Sequence, residues 1–85
     1  MKQVQPLDVH NLSLESAKKV IAKQIDLAYK NNISVLYVSH GFNRGHKIKT
    51  WCLNEAVKLN HVIKVEPGDN EGISKIYIQI NFNKQ

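Results

Sequence analysis

Two short clusters in this sequence hold side chains able to move protons or grip a phosphate. Asp8 and His10 stand two apart in Leu7-Asp8-Val9-His10, and His40 opens the run His40-Gly41-Phe42-Asn43-Arg44-Gly45. On an extended chain a two-residue spacing puts Asp8 and His10 on one face. A carboxylate beside an imidazole orients the ring and raises its basicity, which is how a general base is commonly built. The same pair can do no more than satisfy backbone groups where the chain enters a helix, and spacing alone favours that plainer use.

The second cluster carries a different chemistry. Glycines let backbone N–H groups approach an anion, and a helix beginning just after them adds partial positive charge. Arg44 and Lys47, with Lys49 nearby, add full charges and hydrogen bonds suited to phosphate. A simple strand-to-helix turn explains the glycines equally well. The loop is not a Walker A motif: Gly41-x-x-x-Gly45-x-Lys47 has the wrong spacing, and Ile48 stands where a hydroxyl residue is needed.

Other candidates are plainer. His46 opens a helix and reads as a solvated helix start, and His61 reads as an exposed turn residue. Cys52 falls on an apolar stripe and suits a core better than a nucleophile. Trp51 lies beside that stripe and reads as partly packed on the sheet. Tyr77, on the wetter face of the last strand, is the better candidate for stacking on a base, and Phe42 is a second. Two histidines and a carboxylate are also metal-ligand types. Nothing in the sequence brings three such ligands to one point, and Mg²⁺ prefers oxygen.

The elements that would position these groups follow from periodicity. Residues 1–5 read as a loose lead-in, and Pro6 suits the first position of a strand over Leu7 to Val9. Ser13 is an N-cap candidate, and Glu15 in the first turn suits the helix dipole. Leu14, Ala17, Val20, Ile21, Ile25 and Ala28 then recur at helical period until Asn31 or Asn32 stops the helix. Ile33 to Val38 reads as a strand covered on both faces. A second helix carries Ile48, Cys52, Ala56 and Leu59 on one stripe. Val62 to Glu66 is a strand, 67–72 a turn, and Ile76, Ile78, Ile80 and Phe82 alternate with polar positions in a final strand.

The expected order is therefore β-α-β-α-β-β, an α/β fold in one small domain, with two parallel crossovers and a closing antiparallel hairpin. If the first two strands are neighbours, both clusters reach one sheet edge, outside the strands' carboxyl ends where ligands bind in such sheets. With 85 residues, 42% hydrophobic and 22% charged, the composition is that of an ordinary globular domain. No apolar run approaches the ~18 residues of a membrane span. One cysteine cannot form an internal disulfide, which favours a reducing cytoplasm. The net charge of +5 fits an anionic partner and fits simple solubility just as well.

At this point the residues resemble a known family. Leu7-Asp8-Val9-His10 followed by Asn11-Leu12-Ser13 and a long helix is similar to the LDxHG opening of the Smr (small MutS-related) domain. The run His40 to Gly45 is similar to that family's HGxG motif. The resemblance spans residues 6–82, leaving 1–5 and 83–85 as short tails. It implies a two-layer α/β sandwich like the C-terminal domain of translation initiation factor 3. It also implies a nucleic-acid-binding module, with nicking or endoribonuclease activity in several members. Carried over by position, Asp8 and His10 take the catalytic motif, and His40 with Gly41 through Gly45 take substrate binding and phosphate contact. Asn11 and Asn43 replace two motif glycines, and the loop is about one residue longer, so the fold rests on more matching positions than catalysis does.

Together with these residues, the resemblance implies a domain that binds RNA or DNA, with cleavage of the backbone as the activity it carries in several members. Asp8, His10 and His40 are the chemical groups in this reading, and Gly41, Phe42, Asn43, Arg44, Gly45, Lys47 and Lys49 hold the nucleic acid. A requirement for Mg²⁺ and the oligomeric state are left open. The rival reading is a non-catalytic module that docks structured RNA or a ribosomal surface.

Overall fold

Each element begins and ends for a local reason. In the computed structural model, residues 3–41 and 46–80 are described. Strand β1 covers Val4–Asp8, helix α1 Leu14–Lys30, β2 Val35–Ser39, helix α2 His46–Asn54, β3 Val62–Pro67 and β4 Ile73–Ile78. The Ser13 side chain accepts the Ser16 N–H and so caps α1, as expected of a serine before an apolar-periodic run. Asn32 stops that helix at φ 58°, with the Ile33 N–H returning 2.9 Å to the Ala28 carbonyl. Asparagine tolerates this left-handed backbone better than most residues, so it serves where glycine is usual.

The sheet order is β1-β2-β4-β3. β1 and β2 are parallel, and β4 runs antiparallel to both of its neighbours, β2 and β3. Leu36 and Val38 of β2 and Ile76 and Ile78 of β4 share one face. There they pack with Ala17, Ile21, Ile25 and Ala28 of α1 and with Ile48 and Cys52 of α2. Both helices therefore lie on the same side, and among the described residues the opposite face of the sheet carries no helix.

Several expectations about the elements are corrected. Val4 and Gln5 belong to β1 rather than to a lead-in, because they pair with Val35 and Leu36 and the Gln5 amide donates to Gln24 on α1. β2 is covered by helices on one face alone: on its other face Val35 is buried, but Tyr37 and Ser39 are half-buried and lie away from α1 and α2. α2 ends at Asn54, so Ala56 lies on a separate 3₁₀ turn (Ala56–Lys58) with Leu59 as its C-cap, a common way to tighten a helix end. β4 ends at Ile78, which faces the first residue of β3 in the pairing register. Beyond it Ile80 is 65% exposed. Phe82 lies outside the described residues.

Candidate functional site

The two motifs meet at the carboxyl ends of β1 and β2. These strands pair in parallel with Asp8 beside Ser39, and the Val9 N–H donates to the Ser39 carbonyl at 2.9 Å. Val9 is fully buried, which pins the chain between Asp8 and His10. Immediately after β2, Gly41 takes φ +85°, and a Cβ there would lie 3.4 Å from the His10 Cβ. Glycine adopts this backbone without the strain an L side chain would meet, and the two segments lie within van der Waals reach of each other.

Asp8 and His10 form the expected pair. The Asp8 Oδ1 accepts from His10 Nδ1 and also from the His10 backbone N–H at 3.1 Å. These bonds, the ring's first and the backbone's second, hold the Asp8 carboxyl below its ordinary value of 3.8. The two side chains are 63% and 50% exposed, so both can be reached from solvent. In the neutral form of the ring, giving Nδ1–H to the carboxylate leaves the lone pair on Nε2. It has no hydrogen-bond partner among the described residues. The backbone bond is an Asx-type turn, so the plainer use of Asp8 operates alongside the ring contact.

His10 also lines a half-open cleft of about 350 Å³ together with Asn11, Leu12, Ser13, Leu14, Lys47 and Ile48. The start of α1 forms one wall and the first turn of α2 the other. Lys47 thus lines the same cleft as His10. Asn11, at the position of a motif glycine, is exposed on the same rim. Lys49 is half-buried and does not line the cleft.

His40 departs from the expectation of a chemical group at the surface. It follows the inward phase of Leu36 and Val38, and its side chain is completely buried. Nδ1 lies 3.1 Å from the Gly41 carbonyl and Nε2 2.9 Å from the Ser74 hydroxyl. Burial pushes its pKa below the ordinary 6.5, opposed by the Gly41 carbonyl and reinforced by nearby Lys49. The ring is thus neutral at pH 7, with Nδ1–H donating to Gly41 and Ser74 donating to Nε2. That hydrogen assignment follows from the acceptor character of the carbonyl. His40 offers no open nitrogen to a substrate.

The loop amides are also partly committed. The N–H groups of His40 and Gly41 both donate to the Gly72 carbonyl, at 2.9 and 3.1 Å. Gly41 therefore does not present its N–H to an anion. Phe42, Asn43, Arg44 and Gly45 lie outside the described residues. Among the described residues, no group of three His, Cys, Asp or Glu side chains is placed to hold a metal ion.

Sequence reasoning missed Ser74, Gly72 and Asn70. Ser74 sits in the inward phase of β4, a serine ahead of Ile76 and Ile78. A polar residue in an apolar phase was the available signal, since a buried hydroxyl needs a partner. The Asn70 side chain accepts the Gly72 N–H at 2.8 Å and holds the turn that supplies the Gly72 carbonyl. Of the plainer candidates, Cys52 is buried, its thiol pushed up to about 12 by loss of solvent. His61 is a turn residue at φ 74°, and its ring stacks on Tyr29 with centroids 3.7 Å apart.

No family model matches the chain, and no curated protein sequence does. Its structure is similar to the crystal structure of the Smr domain of Thermus thermophilus MutS2, with a TM-score of 0.81 at 14% identity. The match covers 88% of this chain and 98% of that one. Among the described residues no helix is long and apolar enough to cross a membrane. A four-stranded sheet with two helices on one side, aligned over nearly the whole of that domain, gives this chain the fold of an Smr domain.

Proposed function

We propose that this chain binds RNA or DNA across the His10–Lys47 cleft and cleaves its phosphodiester backbone, with Asp8 and His10 as the proton-transfer pair. The observation that carries this reading is an exposed imidazole held through Nδ1 by a carboxylate, its other nitrogen at the rim of a lysine-bearing cleft. Such a ring takes a proton at Nε2 while the carboxylate fixes its orientation and stabilises the imidazolium. On RNA, His10 Nε2 takes the 2′-hydroxyl proton as that oxygen bonds to phosphorus, the P–O5′ bond breaks with the 5′ oxygen taking a proton from solvent, and a 2′,3′-cyclic phosphate is left. On DNA, His10 takes the proton of a water whose oxygen bonds to phosphorus, and the P–O ester bond breaks with the leaving oxygen protonated by solvent. The Smr-domain resemblance supports the same reading.

Lys47 supplies charge to the phosphate, with Arg44 and the remainder of the 42–45 loop assigned to the same role from the sequence. Lys49 acts on this site only at a distance. His40 changes role: it is a buried positioning residue that holds Gly41 against His10. We assign the chain to the cytoplasm, where a lone thiol such as Cys52 stays reduced.

Binding without cleavage, to structured RNA or a ribosomal surface, is the second reading. The Asp8 bond to the His10 backbone N–H favours it, since that bond gives Asp8 a structural role that needs no chemistry. The deciding experiment offers single-stranded, duplex and structured RNA and DNA to wild type and to the Asp8→Ala, His10→Ala double variant, with Mg²⁺ and with EDTA. Cleavage by wild type that the variant lacks supports the catalytic reading. Equal cleavage by both, or none by either, leaves binding alone.

A further inference from the structure

The helix-free face of the sheet presents aromatic rings and ammonium groups in register with the Asp8–His10 pair. On that face Asp8 lies in the pairing row of Ser39 and Ile73. The next row holds Tyr37, Lys75 and Glu66, and the row beyond holds Tyr77 and Lys64. Rows on one face are two residues apart, roughly 7 Å. Both tyrosines are half-buried, with part of each side chain open to solvent.

The Lys64 ammonium lies 4.8 Å from the centre of the Tyr77 ring and that of Lys75 6.0 Å away. Among the described residues of this surface, Glu66 pairs with Lys64 at 3.1 Å and Asp8 with His10, so neither carboxylate stands as an uncompensated negative charge. A cation resting on an aromatic face can be exchanged for a nucleobase, after which the ammonium is placed to meet a phosphate.

We infer that this face is a platform for single-stranded nucleic acid, with bases stacking on Tyr37 and Tyr77 and the backbone running toward His10 and Lys47. The inference rests on the proposed nucleic-acid function and narrows its substrate class. A duplex keeps its bases stacked within itself and offers no ring face to these tyrosines, so the platform selects unpaired segments. The phosphates of such a segment pass from Lys64 and Lys75 toward the cleft at the sheet's edge.

The test measures binding of a fluorescent 12-nucleotide single strand, as RNA and as DNA, and of the matching duplexes. The proteins are wild type, Tyr37→Leu, Tyr77→Leu and Lys47→Ala, each checked for an unchanged circular dichroism spectrum and melting temperature. Wild type binds the single strands more tightly than the duplexes, and each tyrosine variant weakens single-strand binding about fivefold or more. Should a leucine variant unfold, shifts of the Tyr37 and Tyr77 ring signals in wild type on titration with the single strand give the same answer. If the tyrosine variants or ring signals are indifferent to the single strand while Lys47→Ala loses affinity, the platform is wrong and the nucleic-acid function stands. Equal affinity for duplex overturns the platform as well. If wild type binds none of the probes, both proposals fall together.

Discussion

Gly41 rests against His10: a Cβ built on Gly41 would sit 3.4 Å from the Cβ of His10, at a backbone φ of +85°. This contact joins the two motifs, which are thirty residues apart in sequence. Behind Gly41 stands a buried chain of contacts, from its carbonyl to His40 and from His40 to Ser74. The exposed pair is thereby braced from inside the core.

Gly41→Ala should lower stability by about 1–2 kcal/mol, because an L side chain is strained at positive φ. The new methyl would sit in ordinary van der Waals contact with the His10 Cβ, so the cost is that of the backbone. Denaturant unfolding measures it, and an unchanged midpoint would show that the positive φ is not strained.

Ser74→Ala leaves His40 Nε2 buried without a partner. Such an orphaned acceptor costs about 1–3 kcal/mol. Ser74→Thr keeps the hydroxyl and should retain more of that stability than alanine does. The order wild type, threonine, alanine in denaturant midpoint checks the bond; alanine at the wild-type midpoint would show that it contributes nothing.

Stability should also fall as pH drops below about 6.5. His40 has its pKa depressed by burial, so the unfolded chain binds its proton first. Its contribution is complete above the ordinary value of 6.5 and is lost as pH falls through the lower folded value. Asp8 adds a separate loss that begins only below 3.8, since its carboxyl is also depressed. Unfolding curves from pH 7.5 to 4.5 should show the His40 slope, and His40→Gln should flatten it.

Lys47→Ala should weaken nucleic-acid binding at low salt and reduce the slope of log affinity against log salt by roughly one. Lys19→Ala, on the outer part of α1, should leave both unchanged. Salt titrations of the three proteins on one probe make the comparison.

Much of the architecture was legible because single residues carry local instructions. Ser13 caps the start of α1, and Asn32, just past the Asn31 C-cap, turns the chain out of it, as side-chain and backbone preferences require. Asp8 and His10 pair as their spacing allows. What could not be read depended on register between distant strands. The inward turn of His40 follows once Leu36 and Val38 face the helices, and its hydroxyl partner stands 34 residues later on β4. The insertion of β4 between β2 and β3 likewise has no local signal, since the hairpin turn at 67–72 sets only the β3–β4 pairing.

The central claim is that Asp8 and His10 move the proton at a bound phosphodiester. The most direct test compares single-turnover cleavage and binding of one susceptible RNA by wild type, Asp8→Asn and His10→Ala. The pair predicts a rate loss of about 10²–10⁴-fold for His10→Ala and a smaller loss for Asp8→Asn, with affinity nearly unchanged. Cleavage at the wild-type rate by His10→Ala would contradict it.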